Sequence, residues 1–80
     1  MQLAPMPTRF ERWVAVYGVS RCARELNLAR STVHRWLSGR RPVGKRHADK
    51  IIALAGGLLT EADIREQYEL RHRHAGATPE

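Results

Sequence analysis

Val19-Ser20-Arg21-Cys22-Ala23-Arg24-Glu25-Leu26-Asn27-Leu28-Ala29-Arg30-Ser31-Thr32-Val33-His34-Arg35-Trp36-Leu37-Ser38 is the stretch on which the fold turns. It divides into a seven-residue helix from about Ser20 to Leu26, a three-residue turn, and an eight-residue helix from about Arg30 to Leu37. Helical spacing puts Cys22, Ala23 and Leu26 on one side of the first helix, and Val33 and Trp36 on one side of the second. Asn27 stands where the turn needs a left-handed residue, and asparagine tolerates that conformation better than most. Two helices that cross steeply need a small residue at the crossing, which is Ala23. They also need apolar plugs, supplied by Cys22, Leu26, Leu28, Val33 and Trp36. These are the parts of a helix-turn-helix.

The flanking sequence adds helices and no strand pattern. Thr8 and Glu11 have capping-box spacing, so a helix begins at Thr8, and Phe10, Trp13, Val14 and Tyr17 form its apolar stripe up to Gly18. Ser38-Gly39 ends the central pair. Arg40-Arg41-Pro42-Val43 reads as a loop because proline disfavours a helical residue before it. A fourth helix from about Gly44 to Ala55 turns Ala48, Ile51, Ile52 and Ala55 inward, and Gly56-Gly57 breaks it. Thr60 and Asp63 start a short fifth helix with Ile64 and Tyr68 inward. The expectation is an all-α, compact bundle of about five short helices: a flexible 1–7, a helix-turn-helix domain over 8–70, and a disordered polar tail over 71–80.

With Val33 and Trp36 inward, Arg30, Ser31, His34 and Arg35 share the outward side of the third helix. The quoted stretch resembles the lambda-repressor-like DNA-binding domains, most closely small Cro-like and YdaS-like phage or prophage regulators. The resemblance rests on Tyr17-Gly18, Cys22-Ala23-Arg24-Glu25-Leu26 and the run from Ser31 to Pro42. Ala48-Asp49-Lys50-Ile51 and the run from Gly56 to Arg65 look like that group's closing helices. It covers residues 8 to 68. It implies that Arg30, Ser31 and Arg35 contact bases in the major groove, with His34 on a base or a phosphate. Ser20 and Arg21, at the start of the second helix, and Arg40, Arg41, Lys45 and Arg46, beyond the third, then flank the reading helix as phosphate contacts. Three positions depart from the pattern. Asn27 replaces the usual glycine, Ala29 replaces the serine or threonine that caps the reading helix, and Val19 replaces a glutamine that braces it. The lost cap costs about 1 kcal/mol.

Charge agrees with a polyanionic partner. Arg9 to Lys50 carries eleven basic and three acidic residues, whereas Ile51 to Glu80 carries three basic and five acidic. No acid lies between Arg30 and Arg46. A basic run is ordinarily a solvated face; this one coincides with the elements that point outward together, which favours nucleic acid. Arg12 and Arg24 are expected as solvated arginines, Arg24 beside a neighbouring acid.

Eighty residues, 42% of them hydrophobic, allow one small core. One cysteine excludes a disulfide framework and fits a reducing cytoplasm. No run is long enough to span a membrane, and Met1 to Pro7 lacks the basic start and apolar stretch of a signal peptide. Cys22, without a CxxC partner, reads as a core residue. His72 and His74 are too few for a metal site. No nucleophilic triad or carboxylate pair is legible, so neither catalysis nor a cofactor is expected.

The expected function is therefore sequence-specific binding of a double-stranded DNA operator by a repressor that acts by occupancy. A single reading helix spans few base pairs, so a homodimer on an inverted repeat is expected, joined by the fifth helix with Leu58, Leu59, Tyr68 and Leu70. Two other readings stand beside it. One is an antitoxin-type module with a toxin or other protein partner that autoregulates its operon. The other is a general or single-stranded RNA binder, disfavoured because Trp13 and Trp36 fall on core stripes rather than outside.

Overall fold

The computed structural model describes residues 6–76, with side chains through 72. Among the described residues it is an all-α bundle of five helices: α1 Arg9–Tyr17, α2 Val19–Glu25, α3 Arg30–Ser38, α4 Lys45–Ala55 and α5 Glu61–Gly76.

Local chemistry sets the helix ends. The Glu11 N–H donates to the Thr8 hydroxyl at 3.0 Å and the Thr8 N–H donates to the Glu11 carboxylate at 3.1 Å, completing the expected capping box. Thr60 and Asp63 repeat the exchange before α5. Gly18, at φ 101°, both ends α1 and begins α2. Asn27 takes the left-handed conformation at φ 58°. Ala29 precedes α3 without a side-chain bond to its first turn.

The core is the junction of all five helices. Phe10, Trp13 and Val14 of α1 meet Cys22 and Ala23 of α2, Val33 and Trp36 of α3, and Ala48, Ile51 and Ala55 of α4. Leu26, Leu59 and Ile64 complete it. Burying an aromatic or branched side chain of this kind contributes roughly 1.5–3 kcal/mol, so most of the stability resides here. α2 packs on α1 and α3, while α5 lies against α1, α3 and α4.

The C-terminal region differs from expectation. α5 is not a short helix ending near Leu70; it runs sixteen residues to Gly76, so the expected polar tail over 71–80 begins as helix. The cause is polar anchoring. Arg71 bridges to Glu11 through its Nε at 2.5 Å and its Nη2 at 2.8 Å, and the same Nη2 reaches the Met6 carbonyl at 3.2 Å. Gln67, only 1% exposed, takes the inward place expected of Tyr68, which is half-buried and stacked on His72. The Gln67 amide bonds the Thr8 hydroxyl, the Glu11 carboxylate at 2.8 Å and the Leu37 carbonyl at 3.0 Å. No buried side-chain polar atom is left without a partner among the described residues. The expected flexible N-terminus is described only at Met6 and Pro7; residues 1–5 and 77–80 lie outside the described residues.

Candidate nucleic-acid interface

α3 presents two faces of opposite character. Val33 and Trp36 are buried at the junction with α2, α4 and α5, which fixes the rotation of the helix about its axis. At 100° per residue the remaining positions follow. Arg30, Ser31, His34 and Arg35 are all exposed and fall within one arc of the helix surface. Ser31, His34, Arg35 and Arg40 line one open groove together with Leu37 and Ser38.

Arg40 reaches that groove because the chain folds back after α3. Gly39 adopts the left-handed conformation at φ 78°, and the Arg40 N–H then donates to the Arg35 carbonyl at 2.9 Å, with the Arg41 N–H on the same oxygen at 3.3 Å. The last turn of α3 thus carries the two arginines of the loop beside the exposed face. The Ser38 hydroxyl donates to the Arg35 carbonyl at 3.2 Å. Ser38 falls within the same arc by helical rotation, and it escaped the sequence reading because the helix was expected to end at Leu37, one residue earlier than it does.

The flanking residues are not all gathered at one place. Ser20, Arg21, Arg41, Lys45 and Arg46 are exposed. Lys45, however, lines a separate cleft between α4 and α5 with Pro42, Val43, Glu61, Arg65 and Tyr68. Arg21 lies over the Tyr17 ring, 4.3 Å from its centroid. Arg12 is exposed as expected. Arg24 is also exposed, but the expected pairing with a neighbouring acid does not occur: the ion pair between described residues is Arg71 with Glu11.

Three titrating groups among the described residues are shifted, and none lies on the exposed face of α3. Bonds from Arg71, Gln67 and the Thr8 backbone hold the Glu11 carboxyl at about 2, and Glu11 in turn raises Arg71. Burial pushes the Cys22 thiol up, which disfavours the thiolate and fits its place in the core. No carboxylate pairs with the arginines of α3 and its loop among the described residues.

The surface expected to join two copies needs correction. Leu59, in the turn between α4 and α5, is 2% exposed and belongs to the core. Tyr68 is half-buried against His72. Leu58 and Leu70 are exposed, at 70% and 40%, and Val16, which the apolar stripe of α1 leaves on its outer side, is 90% exposed. No helix of the described residues is long and apolar enough to cross a membrane. Comparison of the chain with protein-family models, with curated proteins and with solved structures found no match.

Proposed function

We propose that this protein is a sequence-specific double-stranded DNA-binding transcriptional regulator, a Cro-like phage or prophage repressor that reads an inverted repeat with α3 in the major groove. The observation that carries the reading is the exposed face of α3. Arg30, Ser31, His34 and Arg35 stand out together from a helix whose rotation is locked by Val33 and Trp36.

Each group has a distinct task in this reading. Arg30 and Arg35 donate paired hydrogen bonds to guanine O6 and N7, each good pair giving about 1–3 kcal/mol of discrimination. Ser31 and His34 contact neighbouring base edges or a phosphate. Ser20, Arg21, Arg40, Arg41, Lys45 and Arg46 hold the phosphate backbone and set the register. Nothing beyond occupancy is required: a promoter covered by the protein excludes polymerase, with no cofactor. Two copies on an inverted repeat extend the site beyond the four or so base pairs of one reading helix, and exposed Leu58, Leu70 and Val16 supply apolar surface for their contact.

Selection of bound duplexes from a random DNA pool tests this directly. Enrichment of a palindrome whose half-sites lie about one helical turn apart is expected. A pool that returns no preferred sequence would reduce the protein to a general nucleic-acid binder.

A further inference from the structure

We propose that Tyr17 is a positioning residue for DNA contact: its ring holds the Arg21 guanidinium flat, so that the edge of the guanidinium is presented to a backbone phosphate. This rests on the DNA-binding reading above and adds to it a residue that itself touches no DNA.

The Arg21 Cζ lies 4.3 Å from the centroid of the Tyr17 ring. That ring is fixed from beneath. Tyr17 stacks on Trp13 at 4.7 Å between centroids and 23° between planes, and Trp13 stacks on the fully buried Phe10 at 6.5 Å and 29°. Arg21 thus closes a column of four side chains that rises out of the core along α1 and crosses onto α2. Gly18 makes the crossing possible. Its φ of 101° is a conformation that other residues rarely adopt, and it turns α2 so that Arg21 returns over the ring four residues back.

At this distance a guanidinium laid face-on to the ring uses its face alone, and its five N–H donors lie in its plane. The edge of Arg21 therefore stays available for the two oxygens of a phosphate. Among the described residues no carboxylate bonds it, and no arginine other than Arg21 lies over an aromatic ring. A long side chain that must be ordered on binding loses rotamer freedom, and one already ordered loses less. Tyr17 places that ordering in the free protein.

The test is a double-mutant cycle on a random-sequence duplex, read by fluorescence anisotropy across a salt series, with a thermal melt of every variant. Arg21→Ala is expected to weaken binding and to lower the slope of log affinity against log salt by about 0.9. Tyr17→Leu is expected to weaken binding about two- to five-fold while leaving the slope near that of the parent, because the charge remains. Tyr17→Phe keeps the ring and should keep the affinity. In the Arg21→Ala background, Tyr17→Leu should have no further effect. If Tyr17→Leu melts below the assay temperature, Arg21→Lys replaces it: the charge and slope survive, the planar stack is lost, and affinity should fall to a similar extent. Equal loss from Tyr17→Leu in both backgrounds, or no loss from Tyr17→Leu and Arg21→Lys alike, would overturn the pairing while DNA binding stood. A parent protein that binds no duplex at low salt would remove the DNA reading, and the role of the pair with it.

Discussion

The Gln67 side chain donates to the Leu37 carbonyl at 3.0 Å, so a buried amide of α5 terminates α3. The last carbonyls of a helix have no partner within it and must find one elsewhere. Here the Arg35 carbonyl takes the N–H groups of Arg40 and Arg41, Trp36 takes that of Gly39, and Leu37 takes Gln67. The Gly39 carbonyl lies 3.3 Å from His72 Nδ1, one turn further along α5. The end of the exposed α3 face is therefore tied to α5 and, through Glu11 and Thr8, to the start of α1.

Removing the tie should be costly. Gln67→Leu keeps the volume roughly constant but leaves the Leu37 carbonyl and the Thr8 hydroxyl short of a partner inside the bundle. A cost of about 2–4 kcal/mol is expected, from one or two buried polar groups left unpaired. Urea unfolding of the variant beside the parent measures it. An unchanged midpoint would mean that water reaches these groups and the network adds nothing.

A pair of glycine variants separates backbone strain from packing. Gly39 and Gly56 both end helices in the left-handed conformation, at φ 78° and 60°. A Cβ on Gly39 would lie 2.4 Å from the Arg71 carbonyl carbon and the His72 nitrogen, whereas one on Gly56 would meet nothing within 4 Å. Gly56→Ala should therefore cost only the conformational penalty of about 1 kcal/mol. Gly39→Ala must also push α5 away, and a total of about 3 kcal/mol or more is expected. Thermal melts of the two variants should separate clearly; equal losses would show that α5 yields without cost.

The helix ends were legible because they rest on residues with strong local preferences: Thr8 with Glu11, Gly18, Asn27, Gly39 and Thr60 with Asp63. The outward face of α3 was legible for a related reason, since Val33 and Trp36 fix it by helical rotation alone. The length of α5 was not. Beyond Leu70 no apolar period remains, and what holds the helix is Arg71 on Glu11 and a buried Gln67, polar contacts between residues far apart in sequence. Gln67 offers no sign of burial, because a glutamine on a helix is ordinarily solvated. The same limit applies to Leu59, which stands in the turn after a glycine pair and reads as surface although it is buried in the core. It applies also to Arg40 and Lys45, basic residues on either side of the α3–α4 loop that end on different clefts.

The Glu11–Arg71 pair makes stability depend on acid. The Glu11 carboxyl titrates at about 2 in the folded protein against an ordinary value of 4.5. A carboxyl lowered by folding contributes its full stabilisation above its unfolded value, and the contribution is lost as pH falls from about 5 towards 2. A shift of this size corresponds to ~3 kcal/mol at most, and with 21% of the Glu11 side chain exposed, solvent screening brings it nearer 2. The stability difference between the parent and Glu11→Gln should therefore be largest near pH 6 and shrink steadily on acidification. Chemical denaturation at several pH values gives the difference directly, and a gap that stayed constant down to pH 2 would mean the pair contributes nothing through charge.

Reading and clamping should separate by mutation. Arg35 stands on the exposed face of α3, in the groove with Ser31 and His34, while Arg41 follows in the fold-back loop. Base contacts specify and phosphate contacts position. Arg35→Ala should weaken binding to a preferred duplex by about 1–3 kcal/mol and relax the preference at one base pair, with random DNA much less affected. Arg41→Ala should weaken preferred and random duplexes by similar factors and lower the salt slope by about 0.9. Both side chains are exposed and bond no carboxylate among the described residues, so neither variant should alter the melt, and changes in affinity report the interface rather than the fold. Fluorescence anisotropy over a salt series distinguishes the two patterns. Equal losses on both duplexes for Arg35→Ala would mean that α3 lies against the phosphates and reads no base.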